Sequence, residues 1–242
     1  DRKILAKRIK TLLDQYGVPE FLNKRDAFLF KMYQAFGHHF DFIAIPIIKK
    51  RLRMDTSQVI INEERPQLTK HLATRFKEKI GQNVNLLGEV VLGNEEADHR
   101  YHHYLEALES PDINYISVKI SGIYAQTHAL NYEESFPELV SRMSALYQKA
   151  IDFPYTDEDG IKRSKFINLD MEEYKDAHFT LRLFKAVLNL PQFKNYSAGI
   201  VVQAYLPDAY DFQTELLEFA KARVDGGGAP IKMRLVKGCN LE

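Results

Sequence analysis

Cysteine is nearly absent from this 242-residue chain: Cys239 is the single one. That excludes an internal disulfide framework and fits a reducing compartment. Long hydrophobic runs are missing too, since none reaches the ~18 residues of a spanning helix. The opening residues give no expectation of a signal peptide. Net charge is also lacking. The 33 Lys/Arg balance 33 Asp/Glu, so whole-chain charge points to no polyanionic partner and no nucleic acid is predicted. The sequence opens at Asp1 rather than Met, which gives the expectation that it is a piece of a longer protein.

With 45% hydrophobic and 27% charged residues, the composition is that of a globular chain, not a disordered one. The charge is uneven along it. Residues 1–80 hold 17 Lys/Arg against 9 Asp/Glu, whereas the rest hold 16 against 24. The first 80 residues read as helical. Leu5, Ile9, Leu12 and Leu13 recur at helical spacing, as do Phe28, Met32, Ala35 and Phe36. Gly17, Pro19, Gly37 and Pro46 punctuate them.

Near Asn83 the character changes. Segments 84–88, 115–121, 165–171, 198–205 and 231–236 have strand length and are rich in β-branched or other apolar residues. Helical stretches over 94–109, 135–150, 172–188 and 212–223 separate them. Alternation of this kind predicts parallel βα units, in an open doubly wound sheet or a barrel. The parity of the polar residues favours the barrel. Ile116, Val118 and Ile120 alternate with Ser117, Lys119 and Ser121, and Ile167, Leu169 and Met171 with Asn168 and Asp170. Ile200, Val202 and Ala204 alternate with Val201, Gln203 and Tyr205, and Ile231, Met233 and Leu235 with Lys232 and Arg234. A strand covered by helices on both faces is apolar on both. One apolar and one polar face suits helices outside and a working centre inside. The predicted fold is therefore α/β, a TIM-like β/α barrel with about five of its eight strands, preceded by a helical region. The expected domains are a helical lead over 1–80 and the first part of the barrel over 81–242, with the protein continuing beyond Glu242.

Barrel sites form at the C-terminal ends of the strands. Glu89, Lys119, Ser121, Asp170, Gln203, Arg234 and Lys237 stand there, from five strands. Burying unpaired charge is costly. A bound ligand that completes the set is one reading, and an ion-pair network filling the barrel is the other. Elsewhere, His99 and His103 have i, i+4 spacing but look like a solvated helix face, and no metal site is predicted. Gly226-Gly227-Gly228 precedes its strand and reads as a turn. Lys49, Lys50, Arg51 and Arg53 follow the apolar run 42–48, as in an ordinary amphipathic helix.

Five motifs then stand in order: Asn85-Leu86-Leu87-Gly88-Glu89, Ile116-Ser117-Val118-Lys119-Ile120-Ser121, Asn168-Leu169-Asp170-Met171-Glu172-Glu173, Val202-Gln203-Ala204-Tyr205 and Arg234-Leu235-Val236-Lys237-Gly238. Together they closely resemble the proline dehydrogenase domain of bacterial proline-utilisation flavoenzymes, over roughly residues 80–242. The resemblance implies FAD-dependent oxidation of L-proline to 1-pyrroline-5-carboxylate, the first step of proline catabolism to glutamate, with electrons passed to a membrane quinone. It also implies an NAD-dependent aldehyde dehydrogenase as a following domain in many relatives. The implied location is the cytoplasm, with the inner membrane face as the place of electron transfer.

Carried over by motif, Lys119 meets the substrate carboxylate and Leu235 packs on the proline ring. Asp170 orders the cavity near the flavin and Lys119. Gln203 and Arg234 bond the isoalloxazine, Arg234 at its N5 edge. Met171, Val201, Val236, Gly238 and Cys239 line the cofactor, Cys239 replacing a common alanine, and Glu89 is a supporting acid. Lys119 and Asp170 are expected within ion-pairing reach, directly or through water. The later strands of the family carry the carboxylate-clamping arginines, so this chain alone is expected to be inactive. The alternatives from other classes are a non-catalytic barrel fragment used as a scaffold, and a Schiff-base enzyme using Lys119 or Lys237.

Overall fold

The computed structural model describes residues 2–20, 22–36, 41–56, 61, 65–86, 93–125 and 131–237. The chain forms two compact units, Asp1–Leu68 and Thr69–Glu242.

In the first unit, α1 (Arg2–Tyr16), α2 (Lys24–Phe36) and α3 (Asp41–Thr56) are followed by the start of α4 (Arg65–Lys77). Ala6, Leu13, Tyr33 and Ile45 make its core, with Leu5, Ile9, Phe30 and Ile48 packed around them. The α1 stripe thus behaves as its spacing predicts, except that Leu12 is exposed. The α2 stripe does not. Phe28, Met32 and Phe36 are exposed, and the helix is anchored instead by Tyr33, whose buried hydroxyl donates to the Ala6 carbonyl at 3.1 Å. A tyrosine that can satisfy its hydroxyl in this way brings a large apolar body into the core without a buried orphan.

The second unit carries a five-stranded sheet in the order β1 (Val84–Asn85), β2 (Tyr115–Lys119), β5 (Phe166–Asp170), β6 (Gly199–Gln203), β7 (Lys232–Val236), with every pairing parallel. The connections hold α5 (Asn94–Glu109), α6 (Tyr132–Asp152), α7 (Ala177–Leu188) and α8 (Ala209–Asp225). All five expected strands are present, each shorter than its apolar run. A small antiparallel hairpin, β3 (Tyr155–Thr156) and β4 (Lys162–Arg163), was not expected. Its turn is held by the Asp157 carboxylate, which accepts from the backbone N–H of Asp159 and Ile161 and pairs with Arg163.

The parity of the strands is the parity of the fold. Ile116, Val118, Ile167, Leu169, Ile200 and Val202 are fully buried in a core that includes Leu108, Leu139, Met143, Phe184 and Leu216 of the helices. Burying each such side chain stabilises the fold by ~1.5–3 kcal/mol. β7 departs from this pattern. Leu235, in register with Val202, is 56% exposed, because no helix follows β7 among the described residues to cover it.

At the N-terminal end of the sheet one side chain ties several loops together. The Arg223 guanidinium donates to the carbonyls of Leu188, Phe193, Lys194, Tyr196 and Ala229 at 2.5–3.0 Å. These carbonyls lie at the end of α7 and in the turns that lead into β6 and β7. Gly227 has φ +75, and a Cβ on Gly228 would come within 3.0 Å of the Arg223 side chain and carbonyl. The glycine triplet is thus a turn wrapped around that arginine.

Candidate active site on the inner face of the sheet

Successive strand residues point to opposite faces, so the second set of each strand shares the face away from the helices. Its hydrogen bonds run between strands and, at Asn168–Asp170, along one strand. In one row of the register, Ser117 stands beside Asn168, Asn168 beside Gly199, and Gly199 beside Lys232. One step further along, Lys119 stands beside Asp170, and Val201 beside Arg234.

Asp170 is the hub. Its Oδ1 accepts from Arg234 Nη2 at 2.8 Å, from Asn168 Nδ2 at 2.7 Å and from Ser117 Oγ at 3.3 Å. Asn83 Nδ2 in turn donates to Ser117 Oγ at 2.9 Å. Burial pushes the Asp170 carboxyl above the ordinary aspartate range. Arg234, Ser117, Lys119 and Asn168 each pull it back, without cancelling the burial effect.

The residues of β6 make this convergence possible. Its inner face offers Gly199 and Val201 before Gln203. β6 lies between β5 and β7, so a β7 side chain must cross about 10 Å to reach β5. Arg234 crosses beside Val201. Lys232 crosses beside Gly199, setting its ammonium 5.2 Å from the Tyr115 ring and 5.7 Å from the Phe166 ring. Those two rings meet edge to face at 5.0 Å. A Cβ on Gly199 would lie 2.7 Å from Asn168 Oδ1 and 2.9 Å from Phe166, so glycine is required by close approach.

Nearer the C-terminal ends, Glu172 takes Lys119 Nζ at 3.1 Å on Oε1 and Ser121 Oγ at 2.5 Å on Oε2. Gln203 Nε2 donates to the carbonyls of Met171 and Glu172 at 3.3 and 3.0 Å. Among the described residues, three buried polar atoms of this face have no partner: Gln203 Oε1, Asn168 Oδ1 and Arg234 Nε. Buried polar groups are ordinarily satisfied. Two acceptors and a donor left open on one face are the sign of a polar ligand.

Several sequence-derived candidates are therefore brought together: Lys119, Ser121, Asp170, Gln203 and Arg234, with Val201 buried between strands. The direct ion pairs are not between Lys119 and Asp170, which were expected within reach directly or through water, although the Lys119 charge still acts on the Asp170 carboxyl. Asp170 pairs with Arg234, and Lys119 pairs with Glu172, because the longer guanidinium arm reaches the buried carboxylate from β7. Met171 is buried, and the atom it gives to this cluster is its carbonyl oxygen. Val236 is half-buried and Lys237 exposed. Leu235 alternates with Arg234 and is exposed, so it is not gathered with the cluster. Glu89, Gly238 and Cys239 lie outside the described residues. Sequence reasoning missed the roles of Ser117, Asn168 and Glu172. Parity had placed the first two on this face, and Glu172 lies two positions past Asp170, the inner-face spacing. Asn83, which precedes its strand, carried no signal. The His99 and His103 rings meet at a tilt on α5, centroids 4.3 Å apart, and no group of three metal-ligating side chains occurs among the described residues.

Comparison with known proteins follows the same division of the chain. The family model described as proline dehydrogenase matches residues 68–242. The structure of proline utilization A from Corynebacterium freiburgense is 41% identical, with a TM-score of 0.71, over 79% of this chain and 19% of that one. Proline utilization A from Bdellovibrio bacteriovorus, solved inactivated by N-propargylglycine, is 27% identical with a TM-score of 0.68, over 98% of this chain and 25% of that one. A comparison with curated proteins finds no match. The chain thus spans about a fifth to a quarter of the length of the two solved proteins, and its five-stranded sheet is part of a β/α barrel.

Proposed function

The chain belongs to the proline dehydrogenase family, and from that premise we propose that it contributes the inner wall of an FAD site at which L-proline is oxidised to 1-pyrroline-5-carboxylate. The single observation that carries the proposal is the Arg234–Asp170 pair set among unpartnered buried atoms on the inner face. The residues suit a flavin edge, which presents hydrogen-bond donors and acceptors side by side. Gln203 Oε1 offers an open acceptor there, and Arg234 Nε an open donor. When bound, the flavin supplies the hydride acceptor.

The chain's own residues do the rest. Arg234 presents a fixed positive charge where negative charge develops during reduction, the differential stabilisation that catalysis needs. Asp170 holds that guanidinium in place. Lys119 offers an ammonium to the substrate carboxylate. Val201 excludes water between the strands and keeps the path of Arg234 open, while Gln203 ties β6 to the loop after β5. Met171, Val236, Gly238 and Cys239 are assigned to the cofactor wall, and Glu89 to a supporting acid, on the motif resemblance. The same resemblance names Leu235 as a contact of the proline ring, although the alternation of β7 sets it on the face opposite Arg234.

The helical lead is read as a separate α-domain before the barrel. Since the relatives are about four times as long, the proposed active form is a larger protein. Electrons then pass to a quinone at the inner membrane face, and a fused NAD-dependent aldehyde dehydrogenase completes the path to glutamate. No helix among the described residues is long and apolar enough to cross a membrane.

The test is reconstitution of the natural-length protein with FAD, followed by anaerobic addition of L-proline. Bleaching of the flavin band and formation of 1-pyrroline-5-carboxylate are expected. A protein that binds no flavin, or whose flavin proline does not reduce, overturns the reading.

A further inference from the structure

We infer that Glu172 is a positioning residue of this site, holding Lys119 so that its ammonium is presented to the carboxylate of the substrate. The inference rests on the reading of the inner face as the proline site.

Lysine is a point charge on a flexible four-carbon stem, with many rotamers to lose on binding. A site that uses one gains by fixing it beforehand. Asp170, the register neighbour of Lys119, is already committed to Arg234, Asn168 and Ser117. Glu172 takes the lysine instead, from the next inner-face position along the chain.

Glu172 is itself held from both sides. Its Oε2 receives the Ser121 hydroxyl from the turn after β2, and its backbone carbonyl receives Gln203 Nε2 from β6. The carboxylate therefore has a fixed direction, and Lys119 inherits it. An ammonium has three donors, so one can serve Glu172 while others face a ligand. The side chains of Lys119 and Glu172 are 32% and 29% exposed, open enough for a small molecule to reach.

The charge count also fits the substrate class. Toward the C-terminal ends of the strands, Arg234 and Lys119 balance Asp170 and Glu172 among the described residues, Lys232 lying a row away over the Tyr115 and Phe166 rings. An amino acid that carries a carboxylate and a cationic nitrogen enters such a site without adding net buried charge, whereas a simple anion does not.

The experiment uses Glu172→Gln, Glu172→Asp and Ser121→Ala in the natural-length protein loaded with FAD. Proline oxidation is followed with a dye acceptor. Glu172→Gln should raise KM for proline about tenfold, with kcat changed by less than about threefold and flavin content unchanged. Ser121→Ala, which leaves the lysine contact, should raise it less. Glu172→Asp, whose shorter arm cannot serve both partners, should fall between wild type and Glu172→Gln.

A second readout needs no turnover. Acetylation of Lys119 by acetic anhydride in the resting protein is measured by mass spectrometry, with Lys185, paired to Glu215, as internal reference. Glu172→Gln should speed labelling of Lys119 by about threefold. If the wild type oxidises proline while Glu172→Gln keeps its KM, the inference falls and the functional reading stands, even if the melting temperature drops. If the wild type neither holds flavin nor oxidises proline, the functional reading falls and takes the inference with it.

Discussion

Arg234 on β7 meets Asp170 on β5 at 2.8 Å, passing beside Val201 on the strand between them. A pair that spans three strands fixes a cation over the centre of the inner face. Arg234→Met should leave FAD bound, because other contacts remain, and should slow flavin reduction by proline roughly a hundredfold, about 2–3 kcal/mol. Arg234→Lys should not restore the rate, since a point charge does not replace a planar fork. Anaerobic stopped-flow reduction measures this, and a wild-type rate in the Met variant would show that Arg234 only fills space.

The same pair has a pH signature in the flavin-free protein. Burial holds the Asp170 carboxyl above its unfolded value. A group raised in this way stabilises the fold below its unfolded pKa, and that contribution is lost as pH rises through the folded value. Arg234 opposes the shift, so Arg234→Met should raise the carboxyl further and move the loss to higher pH. Melting temperatures across pH 4 to 7 should therefore fall more with rising pH in Arg234→Met than in wild type. The double variant with Asp170→Asn should abolish that extra slope.

Gly199→Ala should destabilise the protein by about 1–3 kcal/mol, the cost of overpacking. The new methyl group would press on Asn168 Oδ1 and the Phe166 ring. Urea denaturation gives the stability. A neutral result would mean that the inner face is looser than the 2.7 Å approach implies.

Lys165 gives a prediction of opposite sign. It is 1% exposed and donates from Nζ to the Ser110 carbonyl at 2.5 Å, and burial pushes its pKa down to about 8. The unfolded chain then holds more protons between about pH 8 and 10.4, so stability should rise with pH across that window. In Lys165→Met this rise should be missing. Denaturation midpoints at pH 7.5 and 9.5 for the two proteins provide the comparison, and parallel profiles would refute the assignment.

Arg223→Met removes the one donor group shared by five carbonyls. The expected loss is about 2–4 kcal/mol, since the part-buried carbonyls of Leu188, Tyr196 and Ala229 lose a charged donor, while those of Phe193 and Lys194 keep a backbone N–H. Lysine should recover only part of it. Calorimetry of the three proteins decides.

Much of this architecture was legible before any coordinates. Ile116, Val118, Ile167 and Leu169 alternate with polar residues, and a period of two has only one structural meaning in a short run. The position of Asp170 on the inner face followed from the same count. What the count lacked was reach. Parity says which face a side chain takes but not how far it extends, so Lys119 and Asp170, neighbours in register, were expected within ion-pairing reach, directly or through water. The longer arm of Arg234 outcompetes the lysine for Asp170, and Glu172 takes the lysine. The α2 stripe misled for another reason. Helical spacing gave Phe28, Met32 and Phe36 a common face, but not the hydroxyl contact that turns Tyr33 inward.

The carbonyl cage around Arg223 has a consequence for the chemistry it never touches. A strand that slips by one residue exchanges its two faces. Were β7 to slide one place against β6, Met233 or Leu235 would take the position of Arg234 beside Val201. The Arg223 side chain binds Ala229, just ahead of β7, to Lys194 and Tyr196, just ahead of β6. It acts as an indexing pin: by clamping the two strands at their feet, it determines which residue of β7 arrives at the working end.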